Sequence, residues 1–328
     1  MKLKFLRSIA AMIIMLGFAV NVNAQTATEA VDALKDGAAK SSAKDYAGAL
    51  DAFKLCVSIY DELGETDNEN RATAAKQIPK MQYKYAIGLY KQKKYDESVA
   101  AFETLKEYAA TYEDAKMAKK ATSTIPKVYY AKGASLLKAK DYTAAIEALD
   151  KSLELDPKYP MAYVRKAQVY KVQDDEANFK TSVDGAINAA IAKKDTKTEG
   201  TAKKLASSFY LKAGANAVKA KEYSKAVTYF NTLMEYKEVD SNIYYQLAII
   251  YNKQSKWDAS IEAGNKALEL MGDVAETTTK DAKIYYELGN SYYGKGDNAS
   301  ACDAYGKANK GDYAETADYQ MKHVVKCK

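Results

Sequence analysis

Apolar side chains recur along this chain at the three- and four-residue spacing of helix faces. At intervals the pattern is interrupted by a short phrase: Lys or Ser, then a polar residue, then an aromatic one, with Ala or Ser three residues later. The phrase occurs at 44–46, 93–95, 140–142, 221–223 and 255–257. A bulky apolar residue follows in four copies, at Phe53, Phe102, Leu149 and Phe230. This pattern predicts a repeating unit of two amphipathic helices joined by a tight turn.

One copy of the unit shows what it resembles. It carries, in order, Tyr129, Gly133, Leu136, Tyr142, Ala145, Leu149 and Pro157. This succession resembles the tetratricopeptide repeat (TPR), a helical hairpin of about 34 residues. About seven copies cover residues 30–310, and the copy that begins at Pro160 is degenerate. The resemblance implies an all-α fold, a TPR-like α-solenoid (a right-handed superhelix of helical hairpins), over residues 25–328, with a C-terminal capping helix over residues 313–328.

Small residues recur where the two helices of a unit are expected to cross. They are Ala86, Gly133, Ala167, Gly214, Ala248 and Gly289. A small side chain lets two helix backbones approach closely. The aromatic residues would then fill the space between successive hairpins, so that each unit buries its apolar face on its neighbours.

Extra residues between some copies break the regular spacing, near 64–78, 113–125, 194–206 and 275–281. Their composition favours helix, so we expect them to extend helices. Pro79 and Pro126 would then lie within helices as kinks. One continuous array is favoured over two domains, with 194–206 as the best candidate for a hinge.

Residues 1–24 have the features of a signal peptide. Lys2, Lys4 and Arg7 precede an apolar run from residue 9 to residue 20, and Ala24 offers a small residue at the cleavage position. The alternative is an uncleaved membrane anchor. Cleavage after Ala24 predicts an exported, periplasmic protein with no integral membrane span; a secreted or loosely envelope-associated protein is the alternative location.

The charge of the chain argues against a nucleic-acid partner. Lys and Arg number 49 and Asp and Glu 43, and three of the basic residues lie within residues 1–24. The remaining chain is nearly neutral and has no concentrated basic stripe, which a nucleic-acid surface would need.

The sequence offers little for catalysis or metal binding. His323 is the single histidine, which leaves no metal-binding histidine pair and no nucleophile–histidine pair. Cys56 falls where a repeat needs a small buried residue, whereas Cys302 and Cys327 can be bridged or free. Simple antiparallel packing of the terminal helices would leave the last two out of register. We therefore predict no enzyme, no metal and no cofactor.

Binding by the first helices is the function that remains. By resemblance to the family, the residues that line the concave groove are Tyr83, Lys84, Tyr90, Tyr130, Arg165, Tyr245, Lys253, Tyr286, Asn290 and Tyr293. Tyr and Arg are residue types that anchor recognition surfaces, although each tyrosine has packing between helices as an alternative role. The Lys and Asn clamp of repeats that bind chaperone tails is absent. The sequence thus predicts a scaffold or adaptor for a protein or peptide partner; the alternative is a module for cell-wall glycan (peptidoglycan) or for envelope assembly.

Overall fold

The computed structural model describes residues 26–272 and 279–328. Within these ranges the chain is helical and has no strand, which confirms the all-α prediction. No helix in the described ranges is long and apolar enough to cross a bilayer. The predicted signal peptide lies outside the described residues.

The described residues up to Pro157 form one compact unit, unit 1. Its six described helices pack as three consecutive antiparallel pairs, α1 with α2, α3 with α4, and α5 with α6. Their bounds are α1 Ala27–Ser42, α2 Tyr46–Glu62, α3 Glu69–Lys91, α4 Tyr95–Thr111, α5 Ala115–Lys138 and α6 Tyr142–Leu155.

The described residues from Lys158 onward form a second compact unit, unit 2. Four hairpins are described: α7 Pro160–Val172 and α8 Glu176–Lys193, α9 Thr196–Lys219 and α10 Tyr223–Tyr236, α11 Ser241–Lys253 and α12 Trp257–Met271, α13 Thr279–Lys295 and α14 Asn298–Ala308. The C-terminal segment, residues 311–328, follows them. It holds a 3₁₀ turn Gly311–Tyr313, α15 Ala314–Tyr319 and a π turn Gln320–Val325.

The boundary between the units lies elsewhere than the sequence suggested. The proposed hinge at 194–206 falls almost entirely within α9, whereas the division comes between Pro157 and Lys158. The continuity of the array over residues 25–328 stays a prediction.

Inside each hairpin, a small residue of the first helix faces a large residue of the second. A methyl group added to Gly133 would lie 2.6 Å from Leu149, and one added to Gly289 would lie 2.6 Å from the Tyr305 ring. Gly214 faces Phe230 in the same way. The predicted crossing points at Gly133, Gly214 and Gly289 are therefore confirmed, and the space that each glycine leaves is filled by the bulky residue of the second helix.

A second small position, on the second helix, also lies in the crossing. Where it is serine instead of alanine, its hydroxyl has a partner: Ser98 Oγ donates to the Ala86 carbonyl (2.9 Å) and Ser260 Oγ to the Ala248 carbonyl (2.8 Å). Both serines are fully buried. Because their hydroxyls are hydrogen-bonded, burial there carries no desolvation penalty for an unpaired group.

The repeated phrase forms the turn inside the hairpin. Its first residue is left-handed, with φ of +65° at Lys44 and Lys140 and +56° at Ser255. The second residue is the N-cap of the next helix, and Asp141 accepts from the Ala144 amide (3.2 Å). A left-handed residue ends one helix and an Asp cap starts the next, so the chain reverses within three residues.

Three of the four insertions, near 64–78, 113–125 and 194–206, extend helices over most of their length, as predicted, whereas most of the fourth, 275–281, lies outside the described residues. Pro79 and Pro126 lie inside α3 and α5, which begin well before them at Glu69 and Ala115. The added turns are packed, since Ile78 and Ile125 are buried. The 194–206 insertion likewise forms the first turns of α9.

The C-terminal segment caps the last hairpin but is not the single helix that we expected over residues 313–328. Ala317 and Val325 pack with Ala301 and Tyr305 of α14 through a segment that changes from 3₁₀ to α to π geometry. Lys326 is left-handed (φ +59°) and turns the chain back toward α14.

This reversal settles the state of the cysteines. Cys302 and Cys327 form a disulfide with a Cα–Cα distance of 5.7 Å. The register argument against such a bridge assumed one straight helix, whereas the π turn and the left-handed residue bring Cys327 into reach. Cys56 is buried and free, as predicted, and burial raises the pKa of its thiol.

We expect replacement of both Cys302 and Cys327 by serine to lower the free energy of unfolding by about 3 kcal/mol, because the bridge closes a loop of 25 residues. Urea unfolding of the full chain followed by circular dichroism would measure it. Reductant should reproduce the loss in the wild type and leave the double variant unchanged. Equal stability of the two proteins under oxidising conditions would contradict the prediction.

We expect Lys140→Gly to raise the free energy of unfolding by roughly 1 kcal/mol, because glycine adopts the left-handed conformation of this position without a steric penalty. Thermal unfolding measures the change. Lys138→Gly, two residues earlier in the last turn of α5, is the matched control and should destabilise. The prediction is wrong if both variants shift the midpoint in the same direction.

Candidate binding surface

All ten residues proposed from the sequence lie on first helices of hairpins. Unit 1 holds Tyr83, Lys84 and Tyr90 on α3 and Tyr130 on α5. Unit 2 holds Arg165 on α7, Tyr245 and Lys253 on α11, and Tyr286, Asn290 and Tyr293 on α13. The two groups are described separately below.

In unit 1, most of the proposed side chains contact other residues of the unit. The ring of Tyr83 packs edge-on against Phe102, with centroids 5.9 Å apart, and Lys120 Nζ lies 5.0 Å from its centroid. Lys84 Nζ lies 5.1 Å from the ring centroid of Tyr46. Tyr130 is half-buried.

Tyr90 is the more accessible tyrosine of this group. It is 36% exposed, and its ring meets Tyr95 edge-on at 6.1 Å. It therefore keeps a free ring surface near the end of α3.

In unit 2, two proposed tyrosines are covered by the C-terminal segment. The Tyr313 hydroxyl lies 3.4 Å from that of Tyr245, and its ring centroid lies 5.4 Å from that of Tyr286. Lys283 Nζ also lies 4.5 Å from the Tyr245 ring centroid. Burial raises the pKa of both Tyr245 and Tyr286. These two rings serve packing between the last hairpins and the segment that caps them.

The amide groups are also engaged within the unit. Asn290 Oδ1 accepts from the Tyr305 hydroxyl at 2.8 Å. Asn252 Nδ2 donates to the Glu287 carbonyl (3.0 Å) and carboxylate (2.8 Å), and its Oδ1 accepts from Ser291 Oγ (2.7 Å). This network joins α11 to α13 and leaves little of either amide for a ligand.

The other proposed residues of unit 2 differ in their accessibility. Arg165 is half-buried; its Nη1 donates to Gln168 Oε1 at 2.8 Å, and its Nε has no partner among the described residues. Lys253 is exposed at the end of α11 and forms no ion pair with any described residue. Tyr293 is 41% exposed near the end of α13.

Sequence reasoning missed a charged cluster between α8 and α10. Lys180 Nζ donates to Asp184 (3.1 Å), to Glu235 (2.9 Å) and to the Tyr236 hydroxyl (2.8 Å), which in turn donates to Asp184 (2.6 Å). Only the spacing of Lys180 and Asp184 along one helix face was visible beforehand. The partners on α10 depend on how two hairpins pack, and no local motif marks that.

The pKa shifts in this cluster keep Lys180 and Tyr236 in their unreactive, protonated forms. Burial would lower the pKa of Lys180, but the three hydrogen bonds outweigh it and raise that pKa. Burial and the bond to Asp184 raise the pKa of Tyr236 to about 12. A protonated lysine is not a nucleophile, and a neutral tyrosine is not a base. The cluster therefore has a structural role: it joins the second helices α8 and α10. In the described ranges no group of three or more His, Cys, Asp or Glu side chains could hold a metal ion.

Family comparison agrees with the hairpins. The tetratricopeptide repeat sequence pattern matches residues 126–159 and again residues 282–320. The chain is a tetratricopeptide repeat protein. It has the scaffold-like fold of this family, whose members bind proteins and peptides.

Individual relatives of this tetratricopeptide repeat protein are distant. A protein STIP1 homolog from Dictyostelium discoideum is 29% identical over 115 residues, which cover 35% of this chain and 20% of that relative. The chain therefore spans a fifth of the relative's length. The TPR protein YrrB, whose structure is described as having an unusual peptide-binding site, is 20% identical with a TM-score of 0.29, over 60% of this chain and 88% of its own.

A tetratricopeptide repeat protein from Parabacteroides merdae matches 90% of this chain and 98% of its own, with 11% identity and a TM-score of 0.28.

We expect Asn252→Ala to lower the free energy of unfolding by about 1–3 kcal/mol, because it removes the hydrogen bonds of this amide to half-buried Glu287 and to buried Ser291. Urea unfolding measures the loss. Asn265→Ala is the control, since Asn265 is exposed on α12 and makes no side-chain hydrogen bond with a described residue. Similar losses in the two variants would mean that the network adds no stability.

Proposed function

We propose that this protein is a non-catalytic scaffold or adaptor of the periplasm, which binds a protein or peptide partner along the first helices of its hairpins. The basic, apolar and small-residue regions of residues 1–24 support export, and cleavage after Ala24 would release the chain from the membrane.

The observation that carries this proposal is the exposure of tyrosine on first helices after the packing of each unit is complete. Tyr90 in unit 1 and Tyr293 in unit 2 keep 36% and 41% of their surface exposed. A tyrosine offers a large apolar ring with a polar edge and loses little conformational entropy on binding. Lys253, exposed and unpaired with described residues, adds a cation that would favour an acidic segment.

The absence of catalysis is supported by the titratable groups that the structure describes. In the charged cluster of unit 2, the shifts in pKa hold Lys180 protonated and Tyr236 neutral, each in its unreactive form. A general base or a nucleophile needs the opposite shift.

Site-specific photo-crosslinking in the living cell envelope tests the proposal. A photoreactive amino acid would replace Tyr90 or Tyr293 in the full chain, and we expect both positions to trap the same partner protein. Tyr319, which is 57% exposed but lies in the C-terminal segment, is the control position and should trap much less.

Two results would oppose the proposal. Equal trapping at Tyr319 would show that the partner contacts the protein without preference for the first helices. Trapping of polysaccharide in place of protein would favour the glycan alternative. The same variants also report location, because a protein that is protected from protease in intact spheroplasts is not periplasmic.

A further inference from the structure

The first helices of the fifth and sixth described hairpins leave an open cleft between them. Within each unit, the first helices of other neighbouring hairpins approach each other closely, whereas α9 and α11 have at most sparse backbone contact. Among the helices of the four hairpins of unit 2, consecutive helices pack most sparsely where α11 follows α10. An extended linker from Lys237 to Asp240 separates α10 from α11 at this point.

The cleft is apolar and large enough for side chains of a partner. Its volume is about 640 Å³, within the range of ligand clefts in proteins. Phe230, Leu233 and Ile243 line it as members of the core, and Leu211 of α9 stands at its side with 53% of its surface exposed. Because Leu211 lies in the middle of a helix and is still this exposed, its side chain forms an apolar surface that the fold does not cover.

The face of α9 that borders the cleft has small residues around Leu211 and lysines beyond them. Ser208 and Ala215 lie one turn away on either side, and Lys204 and Lys219 lie a further turn out. The small side chains leave room for the backbone of a partner. Lys204 and Lys219 pair with no carboxylate among the described residues.

The charges that line the cleft are positive in sum. Lys219 and Lys237 line it together with a single carboxylate, Asp240, which forms an ion pair with Lys237. The remaining lining side chains, such as Gln246 and Ser207, are uncharged. A partner with acidic residues beside its apolar ones therefore complements this surface, and a basic partner opposes it.

We propose that this cleft binds a peptide segment of a partner protein in which leucine-like side chains are flanked by acidic residues. The apolar side chains enter between α9 and α11 beside Leu211, and the flanking carboxylates meet Lys219 and Lys204. This inference rests on the proposed function, since it names the chemistry of the partner that the scaffold takes.

A direct binding measurement with defined peptides tests it. The probe is a fluorescein-labelled synthetic peptide with two leucines one helical turn apart between glutamates, and its counterpart has lysines in place of the glutamates. Fluorescence anisotropy with the full chain lacking residues 1–24 should show saturable binding of the acidic peptide, with the basic one about tenfold weaker or more.

Variants then assign the binding to the cleft. Leu211→Glu should weaken binding of the acidic peptide about tenfold or more. Leu211→Gln should weaken it somewhat less, because only the glutamate adds charge repulsion to the loss of the apolar contact. Lys219→Glu should reduce the ratio between the affinities for the acidic and the basic peptide. Leu155→Glu is the matched control, with 52% exposure at the end of α6 in unit 1, and should bind as the wild type does.

Three outcomes overturn the proposal: equal binding of the two peptides, equal effects of the Leu211 and Leu155 variants, or absence of binding to the wild type. A wild-type dimer that Leu211→Glu abolishes would assign the cleft to a second copy of this chain and also overturn it. If crosslinking from Tyr90 and Tyr293 still traps a partner in those cases, the proposed function stands and only the cleft is wrong.

Discussion

The contact between a small residue of the first helix and a large residue of the second determines the rest of each hairpin. Gly133 against Leu149 and Gly289 against Tyr305 bring two backbones so close that the turn between them must be short. A short turn then requires a left-handed residue followed at once by a helix cap, as Lys140 and Asp141 provide. Hairpins built this way have one apolar face each, which only a neighbouring hairpin or a cap can cover.

This constraint explains why tyrosine is the common aromatic residue, with 28 copies against 7 of phenylalanine. A ring within or between hairpins is buried at its body and meets polar groups at its edge, where its hydroxyl can form a hydrogen bond. Tyr305 donates to Asn290 and Tyr236 to Asp184 in this way. Much of the tyrosine content therefore serves packing, and a rich tyrosine composition alone is weak evidence for a binding groove.

The sequence predicts contacts within a hairpin far better than contacts between hairpins. The crossing points and the helix extension through Pro79 follow from spacing, because they depend on residues close in the chain. The engagement of Tyr245 by Tyr313 and the Cys302–Cys327 bridge depend on where a non-repeating segment turns back, for which the repeat phase has no information. For the same reason, ten residues could be placed on first helices but not sorted into covered and exposed ones.

A departure from regular packing is informative in a fold of this kind. Each hairpin gains stability by burying apolar surface on its neighbour, at about 25 cal/mol for each Å². The junction that leaves Leu211 uncovered loses part of that stabilisation. At the other junctions within each unit, the first helices of neighbouring hairpins are in contact. The extended linker at Lys237–Asp240 holds α11 away from α10, so the opening is built into the chain by a local element. A partner that fills the cleft would recover the apolar burial that this junction forgoes, and for that reason we place recognition here in preference to the tyrosines that the C-terminal segment already covers.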